Sequence, residues 1–182
     1  MPQRSIDGIV DLYHSWGGEN YDEDVSQISH ARQCAALAAH DGADDALCIA
    51  ALLHDIGHLF ELSKHNGPSR STDLHHEEIG SRFLAEMFPT TVTLPIALHV
   101  DAKRHLTAID STYRDNLSEG SQRSLGLQGG PYSASESAAF LSLAGSSEAL
   151  QLRRWDDHGK VIGLEVPEFD SWIPMMRHVA LQ

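Results

Sequence analysis

The stretch Ala50-Ala51-Leu52-Leu53-His54-Asp55-Ile56-Gly57-His58 constrains this chain more than any other. An apolar run of this kind belongs to a helix buried on most of its surface, and three ionisable groups add nothing to its packing. Sequence neighbours on a helix diverge by roughly 100°, whereas residues three or four apart share a face. His54 and His58 therefore face the same way while Asp55 does not, so the His-Asp pair converges on one ligand only at a seam between helices. Asp also has two oxygens, each able to ligate a different metal ion. The bland alternative is an ordinary ion pair, or histidines satisfied at a helix end, and a lone His-Asp pair does not exclude it.

The rest of the chain is written in helical period. Ile6, Ile9, Val10, Tyr13 and Trp16 mark an amphipathic helix over 5–16, stopped by Gly17-Gly18. After an acidic loop at 19–24, Val25, Ile28, Cys34, Leu37 and Ala38 resume the period until Asp41-Gly42. Asp44-Asp45 open the helix that carries Leu47, Ile49, Leu52 and Leu53 to Asp55, and Gly57 is expected to let the chain turn. Residues 63–73 read as a surface loop. A helix starts at His75-His76-Glu77-Glu78 and is closed by Phe88-Pro89; Pro95 is expected in the first turn of the next, with Ile96, His99, Val100 and Lys103. Gly129-Gly130-Pro131 signals a turn, 133–143 and 146–161 read as helices, and the chain turns at Pro167 into an amphipathic segment over 169–181. No segment sustains the alternation of a half-buried strand. The expected fold is all-α: a helical bundle in one domain over 1–182, long enough to bury a core without staples.

Charge narrows the partners. A net charge of -13 without a basic stripe argues against nucleic acid, whose binding depends on Lys and Arg neutralising phosphates. Twelve histidines, many beside Asp or Glu, favour transition-metal chemistry. Cys34 and Cys48 fall in apolar stripes and read as small core residues in a reducing cytoplasm rather than nucleophiles. The N-terminus lacks a signal-peptide core, and no apolar run is expected to approach membrane-spanning length, so the protein is expected in the cytoplasm with no membrane partner.

His30, His54, His76 and His99 fall on different helices and, with Asp55 and Asp156, make six candidate ligands. One octahedral ion uses six, but the two oxygens of Asp55 point to two ions sharing a bridge. Imidazole and carboxylate without thiolate favour iron or manganese over structural zinc. Lys103 lies one turn from His99 on the same face. A metal repels a cation there unless an anion sits between them, the alternative being an ordinary solvated face. Arg153, Asp156 and Asp157 have the spacing of intrahelical ion pairs.

The order His30, His54-Asp55, His76, His99, Asp156 resembles the H…HD…H…H…D pattern of HD-domain proteins with two metals. Most HD proteins are phosphohydrolases, but nearly the whole chain looks like a subgroup of mixed-valent di-iron oxygenases, the PhnZ/TmpB phosphonate-degrading type related to myo-inositol oxygenase. The matching segments are 27–30, 50–58, His76-Glu77, 98–104, 127–131 and 153–156; the His99–Lys103 element and Gln128-Gly129-Gly130-Pro131 are more specific than His-Asp itself. The resemblance implies one iron held by His30, His54, Asp55 and Asp156 and a second by Asp55, His76 and His99, with dioxygen as co-substrate and no catalytic group beyond the di-iron centre. It implies a phosphonate pocket of His58, Lys103, Ser121 and Arg153, and an end for a substrate cation at Tyr21 and Glu23, beside Asp24. Trp16, Tyr113 and Tyr132 are further aromatic candidates for that end. The implied reaction is oxidative cleavage of the carbon–phosphorus bond of 1-hydroxy-2-(trimethylammonio)ethylphosphonate or 2-amino-1-hydroxyethylphosphonate, giving glycine betaine or glycine plus phosphate. The alternative is an HD-type metal-dependent phosphohydrolase acting on a nucleotide or phosphomonoester; a metal- or ligand-binding regulator and an inositol-type oxygenase are remoter readings.

Overall fold

The computed structural model describes residues 3–20, 24–65 and 75–181. Helix starts follow capping chemistry. Ser5 accepts from the Gly8 N–H ahead of α1 (Ile6–Trp16), Ser26 from Ser29 ahead of α2 (Gln27–His40), and Asp44 from Leu47 ahead of α3 (Asp45–Leu53). The chain continues through α4 (Ile56–His65), α5 (His76–Leu84), α6 (Thr90–Ile109), α7 (Ser111–Asp115), α8 (Glu119–Leu127), α9 (Ala134–Leu141) and α10 (Ser146–His158). A 3-10 turn over Phe169–Trp172 leads into α11 (Ile173–Val179). Among the described residues there is no strand, only one isolated bridge between Asn20 and Ser26. The expected all-α fold is what forms.

The bundle is organised around α3 and α6. α6 packs against α10, α5 and α3, while α2 packs against α3 and α10. Every side chain of α3 from Leu47 to Leu53 is buried, and Tyr13, Phe60, Phe83, Phe88, Leu152 and Trp155 close over that helix and its neighbours. The C-terminal segment completes this core: Phe169 stacks on Tyr13 with ring centroids 4.3 Å apart, and Trp172 and Met176 are buried beside them. A satellite cluster of Ala102, Phe140 and Ala149 joins α6, α9 and α10.

Four expectations need correction. Gly57 does not turn the chain: the interruption falls at His54–Asp55, and Gly57 lies in the first turn of α4. Its role is close approach, since a Cβ there would stand 2.1 Å from the His76 carbonyl oxygen. Gly80 of α5 meets Ile56 and Gly57 across the same crossing, so two residues without side chains let α4 and α5 touch. Pro95 lies inside α6 rather than in its first turn, because Thr90 begins the helix after Pro89. Only one intrahelical bond, to Thr91, is forfeited there. Residues 119–127 form the unanticipated α8, capped by Ser118, despite two glycines that weaken the helical signal. Finally, Asp45–Lys64 is long and apolar enough by length and composition to cross a bilayer, contrary to expectation, because α3 must be apolar all round to sit at the centre; 78% of its apolar window is buried.

Candidate metal centre

Four helical elements deliver imidazoles to one point. His30 comes from α2, His54 from the end of α3, His76 from the first residue of α5 and His99 from α6. All four are buried, as is Asp156 of α10. Asp55 stands among them and divides its oxygens. Its Oδ2 lies 3.6 Å from His30 Nε2 and 3.5 Å from His54 Nε2, and its Oδ1 lies 3.5 Å from His76 Nε2 and 3.7 Å from His99 Nε2. Asp156 closes the first side, with Oδ1 3.3 Å from His30 Nε2 and Oδ2 3.8 Å from His54 Nε2. The break in the helix lets His54 and Asp55, adjacent in sequence, meet at the same centre.

The outward nitrogens fix the rings. Nδ1 of His30 lies 2.8 Å from the Gly159 carbonyl, that of His54 2.9 Å from Ala51 and that of His99 2.8 Å from Ile96; Nδ1 of His76 faces Glu77 at 3.4 Å. A carbonyl accepts and cannot donate, so Nδ1 of His30, His54 and His99 carries the proton. At His54 and His99, which burial holds below the ordinary histidine range, Nε2 presents its lone pair inward. At His30 burial is outweighed by Cys34 and Asp156, which favour a second proton that a metal would displace.

That arrangement is unfavourable without an electrophile. Nε2 of His54 is fully buried with no hydrogen-bond partner, and Nε2 of His76 and His99 face each other at 3.2 Å. Burial, with the neighbouring His76 and His54, holds His99 well below the ordinary histidine range, so it remains a neutral donor. Burial opposes ionisation of Asp55, yet His54, His76 and His58 together hold its carboxyl well below the usual range. At His76 burial is outweighed by Asp55 and Glu77, which raise its proton affinity, so His30 and His76 would each give up a proton on binding. Imidazoles so released and ionised carboxylates are the donor set of a divalent or trivalent transition ion, and these residues fit a pair of them.

Cys34, expected in the core, is buried there, but it also lies one turn along α2 from His30. Its Sγ is 3.6 Å from Nδ1 and 3.8 Å from Nε2 of that ring and donates to the Trp155 carbonyl. His30, Cys34 and His54 thus form one potential metal-holding group, and Asp55, His76 and His99 another. Burial pushes the Cys34 thiol up, which disfavours the thiolate a metal needs.

A buried cluster of cationic side chains adjoins the first group. Arg153 is buried and held by four residues: Nη1 donates to Asp156 Oδ2 at 2.5 Å, Nη2 to Asp157 and to Ser121 Oγ at 3.2 Å, and Nε to the Tyr113 hydroxyl at 3.0 Å. Tyr113 in turn donates to Asp157 at 2.6 Å. The intrahelical pair expected from spacing is therefore present. Lys103 is buried too, so it is not on a solvated face, and its Nζ donates to Ser124 Oγ at 2.8 Å. Burial, then Arg153, pushes Lys103 down to about 7.

His58 stacks on His76 with ring centroids 3.8 Å apart, and its Nε2 lies 4.0 Å from Asp55 Oδ1. It meets the second group, while Arg153 meets Ser121, and Lys103 is joined to Ser121 through Ser124. Tyr21 and Glu23 lie outside the described residues, and Asp24 is exposed. Among the aromatic candidates for that end, Tyr113 is engaged with Arg153, and Tyr132 donates to Asp101 beneath the Arg104 guanidinium, 4.2 Å from its ring. Sequence reasoning missed Tyr113 as an Arg153 partner, Ser124 and Lys160. None carries a local motif; each is brought to the site by α7, α8 or the end of α10.

No family model matches the chain. Over 173 residues it is 41% identical to the hydroxymethylphosphonate dioxygenase of Gimesia maris, an alignment covering 94% of this chain and 86% of the relative. The chain belongs to the phosphonate dioxygenase family. Within that family it is 34% identical over 175 residues to the glycine-betaine-forming [1-hydroxy-2-(trimethylamino)ethyl]phosphonate dioxygenase of Leisingera caerulea, covering 96% of this chain and 89% of the relative. It is also 32% identical over 176 residues to an uncharacterized protein of Acanthamoeba polyphaga mimivirus, covering 95% and 80%. The expectation of a phosphonate dioxygenase in place of an HD phosphohydrolase is met.

Proposed function

We propose that this phosphonate dioxygenase uses two iron ions to cleave the carbon–phosphorus bond of a small α-hydroxyphosphonate. The observation that carries the reading is Asp55, with one oxygen toward His30 and His54 and the other toward His76 and His99, beside a buried cationic cluster. In this reading His30, His54, Asp55 and Asp156 hold one iron, and Asp55, His76 and His99 hold the other. Bound iron supplies Lewis acidity toward the substrate oxygens and the redox chemistry that dioxygen requires.

The chain supplies position and charge. Lys103, Ser121 and Arg153 receive the phosphonate oxygens, the planar guanidinium of Arg153 already held in orientation by Asp156, Asp157 and Tyr113. His58, against His76, borders the same ligand. Burial of these groups excludes the water that would favour hydrolysis. The reaction balances without another reductant: R–CH(OH)–phosphonate and one dioxygen give R–carboxylate and phosphate.

The relatives' substrates share a hydroxyl on the carbon bonded to phosphorus and differ in what else that carbon bears. We assign Tyr21 and Glu23 to that substituent, which makes 1-hydroxy-2-(trimethylammonio)ethylphosphonate and 2-amino-1-hydroxyethylphosphonate the substrates of choice, with hydroxymethylphosphonate as the smaller competitor. Glycine betaine, glycine or formate is the corresponding product. The test is phosphate release from each compound by iron-loaded protein, in air and under anaerobic conditions. Oxygen-dependent release from at least one is expected; release without oxygen, or none from all three, overturns the reading.

A further inference from the structure

Lys160 lies just beyond α10 and belongs to none of the motif segments, yet its Nζ reaches Ser121 Oγ at 3.1 Å and Asp156 Oδ1 at 3.6 Å. Ser121 Oγ also accepts from Arg153 Nη2 at 3.2 Å. A serine hydroxyl has two acceptor lone pairs and one proton. With Arg153 on one lone pair and Lys160 on the other, the proton of Ser121 is directed away from both cations. The backbone of Ser121 is itself fixed, its N–H donating to Ser118 Oγ at 3.2 Å and its carbonyl accepting from Ser124 Oγ at 3.1 Å. Ser124 accepts from Lys103, so α6, α8 and the end of α10 meet around one buried hydroxyl. Three cationic side chains, Lys103, Arg153 and Lys160, stand there against Asp156 and Asp157, and Lys160 is near enough to Lys103 to lower its proton affinity.

We propose that Lys160 is a positioning residue of the anion pocket: it holds Ser121 as an obligate hydrogen-bond donor and adds the charge that makes the pocket prefer a dianion. This rests on the proposed reaction for the identity of the anion, not for the geometry. Without Lys160 the Ser121 hydroxyl regains a free lone pair and can turn its proton away from the ligand. Lys160 then acts through Ser121, which distinguishes it from a residue that merely neutralises Asp156.

The test compares iron-loaded wild type, Lys160→Met, Lys160→Arg, Ser121→Ala and the Lys160→Met/Ser121→Ala double variant. Calorimetric titration with inorganic phosphate gives Kd, turnover of the preferred hydroxyphosphonate gives KM and kcat, and iron content is measured on every sample. The Lys160 side chain is 15% exposed and lies outside the hydrophobic core, so its replacement leaves no large cavity. Lys160→Met is expected to weaken phosphate binding about tenfold to a hundredfold and to raise KM more than it lowers kcat. In the Ser121→Ala background the same change is expected to cost about threefold or less, and Lys160→Arg to restore most of the affinity. Equal losses in both backgrounds, or a loss of iron with unchanged phosphate affinity, overturn the proposal. If wild type shows Lys160-dependent phosphate binding but no oxidative turnover, the reaction fails and the role of Lys160 stands; normal turnover with an indifferent Lys160→Met variant gives the reverse.

Discussion

Asp55 faces two histidine pairs with two different oxygens, and neither oxygen is replaceable by a neutral group of the same shape. Asp55→Asn keeps the volume but offers one weak acceptor and one donor. It is expected to leave no more than one metal ion per chain, by elemental analysis, and to lower turnover by at least about a thousandfold. Lys103 makes a second prediction, about pH. Burial, then Arg153, lowers it from 10.5 to about 7, so between those values the unfolded chain holds a proton that the folded chain has released. Stability of the ligand-free, metal-free protein therefore gains a contribution that grows as pH rises from about 7 to 10.5 and is lost below 7. Urea midpoints across that range should show the slope, and Lys103→Met should remove this contribution. At this scale the ligand-bearing residues were legible because their spacing and company were anomalous. Lys160 and Ser124 were not, since a charged or hydroxyl side chain near a helix end is commonplace until its neighbours are known.

The contact between α4 and α5 places His76, the first residue of α5, against the centre. Gly57 permits it, because any Cβ would collide with the His76 carbonyl. Gly57→Ala is expected to destabilise by about 1–3 kcal/mol in urea unfolding and, by moving His76 outward, to reduce metal occupancy at the Asp55–His76–His99 group more than at the His30–His54 group. Helix positions were legible wherever apolar residues kept a three- and four-residue step, as in α1, α2 and α10. Two boundaries were not. The apolar run conceals the break at His54–Asp55, since both sides of it are equally apolar, and Gly120 and Gly126 obscure α8, which is held by its Ser118 cap and by burial of Gly120, Ser121 and Leu125.

Across the whole molecule, the same helices that bury the core hold four inward nitrogens and two carboxylates together, so metal binding and folding are coupled. Removing the bound metal with a chelator is expected to lower Tm by roughly 5–10 °C in scanning calorimetry, and reloading to restore it. The sequence by itself determined the helical class, through its periodicity, and the order of metal-binding residue types, through their anomalous placement in apolar segments. Its likeness to phosphonate-cleaving oxygenases also anticipated the family. The resemblance also implied that His54 and Asp55 share a centre and that Asp55 bridges two histidine pairs, as the distances have it. Tertiary structure alone decided where the helix breaks, that Tyr113 backs Arg153, and that Lys160 joins Arg153 on the hydroxyl of Ser121. The physical reason is range: periodicity and capping act within a few residues, whereas the pocket is assembled from helices more than a hundred residues apart, whose relative placement is set by packing.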